Sequence, residues 1–402
     1  MKIALVSEYY YPVLGGITEH VYHLASNLSR KGHDVTVITG RYVGRHGHHM
    51  PEEEGFRVMR LGVGMPVYSN GSFARVTLGR LGSRLRRVFD EERFDVIHAH
   101  SPLTPVLPLV AVRNSNALAT VGTFHTYFDR SRGYDLFSRK LAAHMDMLDG
   151  RIVVSSTCID AMSRYLDAEY SVIPNGVDTD YFTPELPTIG RFDDGKLNIL
   201  FVGRFDPRNG LKTMLESFSL VKRELPDSRL IVVGDGPFRG YYLRLVGRLG
   251  LADVHFEGLV NGGRPNYYAS ADIYCSPCTK SSFGVVLLEA MAAAVPIVAT
   301  DNNGYRSVME HGRQGVLVPE SDPRAFAEAL LALARDPGLR SRMGSDGRRT
   351  AREQYSWKLV TDAVEDYYRN LLDPDSAAAP VLEISDPAPA GPPREKAGLL
   401  ND

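Results

Sequence analysis

Cysteine is scarce: Cys158, Cys275 and Cys278 are the three in 402 residues. A small, odd count argues against a disulfide framework and suits a reducing compartment. Cys275-Ser-Pro-Cys278 has the spacing of a metal-ligand pair, but no second Cys or His pair stands at zinc-finger distance. The pair reads as buried thiols at a strand end, and no metal centre is expected. No apolar run reaches about 18 residues, the length a membrane-spanning helix needs. Met1-Lys2 leads straight into Ile3-Ala4-Leu5-Val6 without the layout of a signal peptide, which sets the expectation of a cytoplasmic protein. Neither sign of charge dominates, since 46 Lys+Arg against 48 Asp+Glu leave a net charge of -2. Nothing therefore draws the whole molecule to nucleic acid, and any anionic partner must meet a local patch. What is present is the composition of a soluble globular enzyme, 44% hydrophobic and 23% charged, in a chain too long for one core.

Short apolar runs alternate with helical patterns twice over, as in a parallel sheet covered on both faces. The first set is Ile3–Ser7, Val35–Thr39, Val96–Ala99, Ala119–Thr123 and Ile152–Ser155. Between its first two members Val21, Leu24, Ala25 and Leu28 recur at helical spacing, and Gly32 ends that helix. The second set is Ile199–Val202, Leu230–Val233, Ile273–Cys275, Ile297–Ala299 and Val316–Val318. The prediction is an α/β chain of two Rossmann-like, doubly wound domains, residues 1–178 and 179–356, hinged about Ser171–Asp178 and the polar, Pro-rich stretch Thr183–Gly195, neither of which shows a helix or strand period. A helix over Trp357–Leu372 is expected to pack back on the first domain. Residues 373–402, with Pro374, Pro380, Pro387, Pro389, Pro392 and Pro393 among Ala, Asp and Glu, are predicted to be disordered. Ligands of open parallel sheets bind beyond the carboxyl ends of the strands, so the expected site is the cleft between the domains.

The residues that carry chemistry gather at those strand ends. In Ser282-Phe283-Gly284-Val285-Val286-Leu287-Leu288-Glu289-Ala290-Met291 a glycine turn opens a helix whose free N–H groups and positive dipole end suit a phosphate. Glu289, about one and a half turns further in, is a carboxylate on an apolar run, and a ribose diol would supply the donors it needs. The plain alternative is an amphipathic helix with one solvated Glu. Gly15-Gly16, ahead of the first helix, lets backbone N–H groups approach a phosphate, although a tight turn needs no ligand. Arg204 follows a strand and can neutralise a diphosphate leaving group, or pair with Asp206. His125 ends another strand facing the cleft, while His98 and His100 read as structural. Past Gly79, Arg80, Arg84, Arg86 and Arg87 interleave with Leu81, Leu85, Val88 and Phe89, the pattern of an interfacial basic helix or of a solvated helix on a core.

Together these residues resemble the retaining, metal-independent glycosyltransferases of family 4, which have the two-domain GT-B fold. The resemblance spans about residues 1–372 and rests on Gly15-Gly16, Phe124-His125-Thr126, Ile173-Pro-Asn-Gly-Val-Asp178, Gly203-Arg204 and the Ser282–Met291 run. It implies a nucleotide-sugar donor held by Gly15, Gly16, Arg204, Asn209, Val260, Ser281, Phe283, Gly284, Val285 and Glu289, the last on the ribose. Within the family the look is that of phosphatidylinositol α-mannosyltransferases, from Tyr9, Asn70-Gly-Ser-Phe-Ala-Arg75, His125 and the basic helix. That narrower likeness implies GDP-mannose as donor and a lipid acceptor held by Tyr9, Asn70, Ser72, Arg75 and Thr126. It also implies peripheral attachment through Arg80, Arg84, Arg86 and Arg87 at the inner, anionic face of the cell membrane.

Two positions depart from the family pattern. Ser281 stands where a Glu usually contacts the transferred sugar, and Asn209 where a Lys follows the conserved Arg. Ala294 also stands where a glycine commonly ends the helix, a position that strains any residue with a side chain if φ is positive. The alternatives left open are a family 4 enzyme with a UDP-sugar and another acceptor, and a non-catalytic nucleotide-sugar binder. The expected mechanism assigns Arg204, Gly15-Gly16 and the helix start at Gly284 to the leaving diphosphate, and His125 to the sugar or acceptor.

Overall fold

The computed structural model describes residues 1–13, 15–42, 55–69, 72–103, 106–125, 132–260 and 262–375, with backbone alone at 68–69, 72–74 and 132–138. Among these residues the strands of the first half are β1 (Lys2–Val6), β2 (Asp34–Tyr42), β3 (Arg57–Ser69), β4 (Ser72–Leu78), β5 (Val96–His100), β6 (Ala119–Phe124), β7 (Gly150–Val153) and β8 (Ser171–Val172). Those of the second half are β9 (Leu197–Val202), β10 (Ser228–Val233), β11 (Val254–Gly258), β12 (Ile273–Ser276), β13 (Ile297–Thr300) and β14 (Gly315–Val318). They form two sheets, ordered β4-β3-β2-β1-β5-β6-β7-β8 and β11-β10-β9-β12-β13-β14. Every pairing is parallel except β3 with β4. The central strands are Val-, Ile- and Leu-rich because helices bury both of their faces.

Each sheet reverses its winding at one strand. β1 lies between β2 and β5, and β9 between β10 and β12, so the turns after β1 and β9 open at the two switch points where such sheets bind ligands. The chain places Ser7-Glu8-Tyr9 and Gly203-Arg204 there.

Three elements are absent from the sequence expectation. β8 pairs with β7 at Ser171–Val172, inside a stretch expected to be hinge, because two residues are too few to show a strand period. β3 and β4 form an antiparallel hairpin whose register runs from Val63↔Leu78 to Ser69↔Ser72, where the segment Asn70–Arg75 was expected only to hold the acceptor. Gly62, Gly64 and Pro66 interrupt its apolar run, and a hairpin at a sheet edge needs no continuous one. β11, Val254-His-Phe-Glu-Gly258, is a half-buried edge strand with the same weak pattern.

The helix Trp357–Leu372 lies against the helix Gly16–Arg30 and the first sheet. Trp357, Val360, Val364 and Tyr368 join a core cluster with Ile3, Leu5, Val21, Leu24 and Ile152. Lys31 pairs with Asp362 and Glu365. The chain thus crosses between domains twice, and the crossings meet where Val177 bridges to Ser356. Residues 376–402, most of the predicted tail, lie outside the described residues.

The helix Val285–Ala292 ends in a Schellman motif: Val295 N–H donates to Ala290 O (2.9 Å) and Ala294 N–H to Met291 O (3.0 Å). Ala294 sits at φ 56°, a conformation that costs a residue with a Cβ about 1 kcal/mol. Ala294→Gly is expected to stabilise the chain by about 0.5 kcal/mol, after the extra freedom glycine has when unfolded. The urea midpoint measures this, and an unchanged or lower midpoint would show that the strain is absorbed.

Candidate active site

Two helix starts face each other across the cleft. Gly15 caps the helix Gly16–Arg30 and Gly284 caps Val285–Ala292, both without a side-chain cap. A Cβ on Gly16 would lie 3.7 Å from Val285 Cγ2, so the two ends are in near contact. Gly284 has φ 111°, and a Cβ there would come within 2.7 Å of the Tyr305 ring; only glycine makes this turn. Uncapped first-turn N–H groups from two helices form an anion site. From the first domain, Ser155 Oγ–H donates to Ser282 O at 2.9 Å and fixes one side of it.

At the β9 switch point Arg204 is half-exposed, its Nη2 3.3 Å from the buried Asp206 carboxylate. The pairing expected as the alternative to a phosphate role is therefore present, and 43% of the Arg204 side chain stays exposed. Asn209 Nδ2–H donates to Arg204 O at 2.8 Å, so the residue standing for the family Lys shapes this turn. Ser281 Oγ accepts from Phe283 N–H at 3.3 Å, and Phe283 is buried against Tyr355. Val260 is half-buried in the same core.

Glu289 does not await a ligand for its donors. Tyr268 O–H donates to Oε2 at 2.7 Å, and Arg264 Nη2 lies 3.0 Å from Oε1. Burial raises the Glu289 carboxyl above its ordinary value, while Arg264 and Tyr268 pull it back. Arg264 also lies 3.9 Å from Glu19 Oε1, on the helix of the other domain. Burial works to raise Glu19 too, but His23, Arg264 and Tyr11 together hold it below the usual carboxylate range. Glu19, His20, His23, Asn175, Arg264, Glu289 and Trp357 line one inter-domain pocket with Gly16 and Val285.

His20 connects this pocket to a second cluster. Its Nδ1–H donates to Asn175 Oδ1 at 3.0 Å, and its ring stands edge-on to His100, His125 and Trp357. His125 Nε2 and His100 Nδ1 are hydrogen-bonded at 3.1 Å. His98 is spent structurally, on Tyr368 Oη and Thr123 Oγ1 at 2.6 Å each. Burial lowers all four imidazoles, His20 to about 4 and His98 to about 3. They are neutral at physiological pH, so the cluster adds no charge to the cleft. His20, His100 and His125 each offer a nitrogen within 4.8 Å of the others, the one such group of three or more His, Cys, Asp or Glu among the described residues, and all three belong to the first domain.

Tyr9, expected on the acceptor, follows β1 at its switch point. Burial raises the Tyr9 phenol, which hydrogen-bonds the backbone at Arg75 and feels the charge of Arg204 as well as Arg75. Arg75 is buried, its Nη2–H donating to Gly64 O at 2.8 Å with the guanidinium over the Tyr42 ring. Its remaining donors, not the whole fork, are what it has for a phosphate. Ser72 belongs to β4 in backbone, and Asn70 and Thr126 lie outside the described residues. The basic helix spans Leu81–Glu92; Leu81, Leu85 and Phe89 are buried while Arg80, Arg84, Arg86 and Arg87 are exposed. No helix among the described residues is long and apolar enough to cross a membrane.

Sequence reasoning did not single out Glu19, His20, Asn175 and Arg264, which line the inter-domain pocket, and it read as structural His100, which is hydrogen-bonded to His125. Glu19 and His20 lay within one turn of Gly15-Gly16, and a functional helix start should have drawn attention to its first turn. Asn175 sat inside a motif already singled out. Arg264 carried no signal, because its partners are distant in sequence.

Comparison with known proteins reaches both domains. Residues 14–181 match the model for Glycosyltransferase Family 4, and residues 183–350 that for Glycosyl transferases group 1. The chain is 34% identical over 379 residues to a phosphatidyl-myo-inositol mannosyltransferase of Mycobacterium leprae, covering 92% of this chain and 97% of that protein. It is 25% identical to a GDP-mannose-dependent alpha-(1-6)-phosphatidylinositol monomannoside mannosyltransferase of Mycolicibacterium smegmatis, covering 88% and 94%. Among solved structures, sucrose-phosphate synthase of Thermosynechococcus elongatus superposes with a TM-score of 0.73 at 22% identity, covering 93% of this chain and 99% of that one.

Proposed function

Because the chain belongs to glycosyltransferase family 4 and has its GT-B fold, we propose that it moves mannose from GDP-mannose to phosphatidylinositol or a close relative, with retention and without a metal ion. The observation that carries this reading is the pair of uncapped helix starts at Gly15-Gly16 and Gly284 meeting across the cleft, with Glu289 lining the same pocket, while Tyr9 and Arg204 at the two switch points feel each other's charge. A departing GDP puts negative charge where two helix dipoles and a guanidinium converge, and such preorganised donors lower the barrier more than they aid substrate binding. Glu289 receives the ribose hydroxyls, sharing its lone pairs with Tyr268 and Arg264. Neutral His125, held by His100, positions a hydroxyl near the anomeric carbon. Tyr9 and Arg75 lie on the acceptor side, within electrostatic reach of Arg204, so a lipid headgroup bound there stands next to the leaving diphosphate. The basic helix keeps the enzyme at the anionic surface where that lipid resides.

The test is nucleotide release by the purified chain from GDP-mannose and from UDP-sugars, with and without phosphatidylinositol vesicles, before and after chelation. Release from GDP-mannose that requires the vesicles and survives the chelator is expected. Turnover of a UDP-sugar alone would overturn the donor, loss after chelation the metal independence, and vesicle-independent transfer the acceptor.

A further inference from the structure

We propose that Arg264 is a positioning residue for the donor: it aims the Glu289 carboxylate and ties it to Glu19 of the opposite domain. This rests on the reading of Glu289 as the carboxylate that takes the nucleotide ribose. Gly262-Gly263 bring the chain round so that Arg264 begins the short helix Arg264–Ala269 with its side chain directed into the inter-domain pocket. There the guanidinium meets one carboxylate from each domain, Glu289 at 3.0 Å and Glu19 at 3.9 Å, and lies over the Phe182 ring.

A carboxylate buried among Leu287, Leu288 and Met291 has a single neutral donor, Tyr268, once Arg264 is discounted. Such a group takes up a proton and then presents an O–H where a diol must find two acceptors. Arg264 opposes that, and it holds only Oε1 strongly, leaving lone pairs on both oxygens for ribose. Its Nε, buried and without a partner, shows that the fork is not saturated by the two carboxylates. Glu19 is anchored in turn by Tyr11 O–H at 2.9 Å and His23 at 3.7 Å. The donor carboxylate is thereby referenced to the helix whose N-terminus faces the diphosphate, so ribose and phosphate sites keep one spacing. An ion cluster serving the fold alone would lose stability when Arg264 is removed and its two carboxylates are left without it, but would leave nucleotide affinity unchanged with pH.

The experiment is calorimetric binding of GDP or UDP, whichever stabilises the full-length wild-type chain more, to Arg264→Met, Arg264→Lys and Glu289→Gln from mildly acidic to mildly alkaline pH. Arg264→Met is expected to weaken binding about tenfold at neutral pH, and more as pH falls, because the carboxyl freed of Arg264 titrates at higher pH and its protonated form binds poorly. Arg264→Lys should restore most of the affinity and flatten the pH profile. Should Arg264→Met fail to fold, Arg264→Gln removes the charge with less change in polarity and carries the same expectation. Wild-type affinity and a flat profile in the charge-removed variant, with Glu289→Gln weakened, would overturn the role of Arg264. Wild-type affinity in Glu289→Gln would overturn the ribose reading itself, and the inference with it.

Discussion

Arg204→Ala lowers the rate of nucleotide release by about 10²–10³-fold, the cost of removing one preorganised donor from developing negative charge, with little change in donor KM. The asymmetry follows from what the guanidinium faces. On the proposed reading the ground-state diphosphate is shared between two helix N-termini, and Arg204 already has Asp206 at 3.3 Å. As the glycosidic bond lengthens, charge grows on the leaving oxygen, and the half-exposed fork at the β9 switch point gains most at that stage. Arg204→Lys should recover part of the rate, since a point charge replaces a planar fork. The fold should be untouched, because the side chain leaves the core within its first carbons. Full kinetics with saturating acceptor decide the matter. A loss smaller than about tenfold, or one confined to KM, would remove Arg204 from the leaving-group site.

Replacing Arg80, Arg84, Arg86 and Arg87 together by serine is expected to weaken binding to phosphatidylinositol-containing vesicles by about 10²–10³-fold at low salt. Activity on those vesicles should fall with it, while hydrolysis of the donor in solution stays as it was. Leu81, Leu85 and Phe89 pin the helix to the core, so the four substitutions change its outer face without loosening it. The pairings of Arg87 with Glu91 and of Arg86 with Asn114, which the serines remove, are exposed and contribute little to stability. Wild-type binding should weaken steeply with salt and the variant's should not. Vesicle sedimentation across a salt series measures both, and unchanged partitioning of the variant would show that this helix is merely solvated.

How far the sequence reveals the site depends on the range of the interactions that build it. Gly284, Gly15-Gly16, Arg204 and His125 could be singled out because each lies at a strand end or helix start, and Glu289 because it is a carboxylate on an apolar run; such features are written in a few consecutive residues. The central strands were legible for the same reason, with ends shifted by a few residues. The β3–β4 hairpin was not, because its stability comes from pairing across a turn and not from a buried run. Glu289 shows the limit in a single residue. Its need for donors was evident from its apolar neighbours, but that Tyr268 and Arg264 already supply two of them depends on packing the helix Arg264–Ala269 against the helix that carries Glu289. His125 was singled out alone, and the structure makes it one ring of a cluster drawn from the first helix, β5 and β6.

The return of the last helix to the first domain has a consequence for synthesis. Residues emerge from a ribosome in order, so β1 to β8 are all available before a single strand of the second sheet exists. Yet Trp357, Val360 and Tyr368 belong to the core of that first domain, and Tyr368 is the partner of His98. The domain made first therefore stays unsealed until the domain made second has been translated in full. A chain stopped short of Trp357 would carry a complete second sheet and an open first one, with its histidine cluster exposed to water on the side that the helix covers.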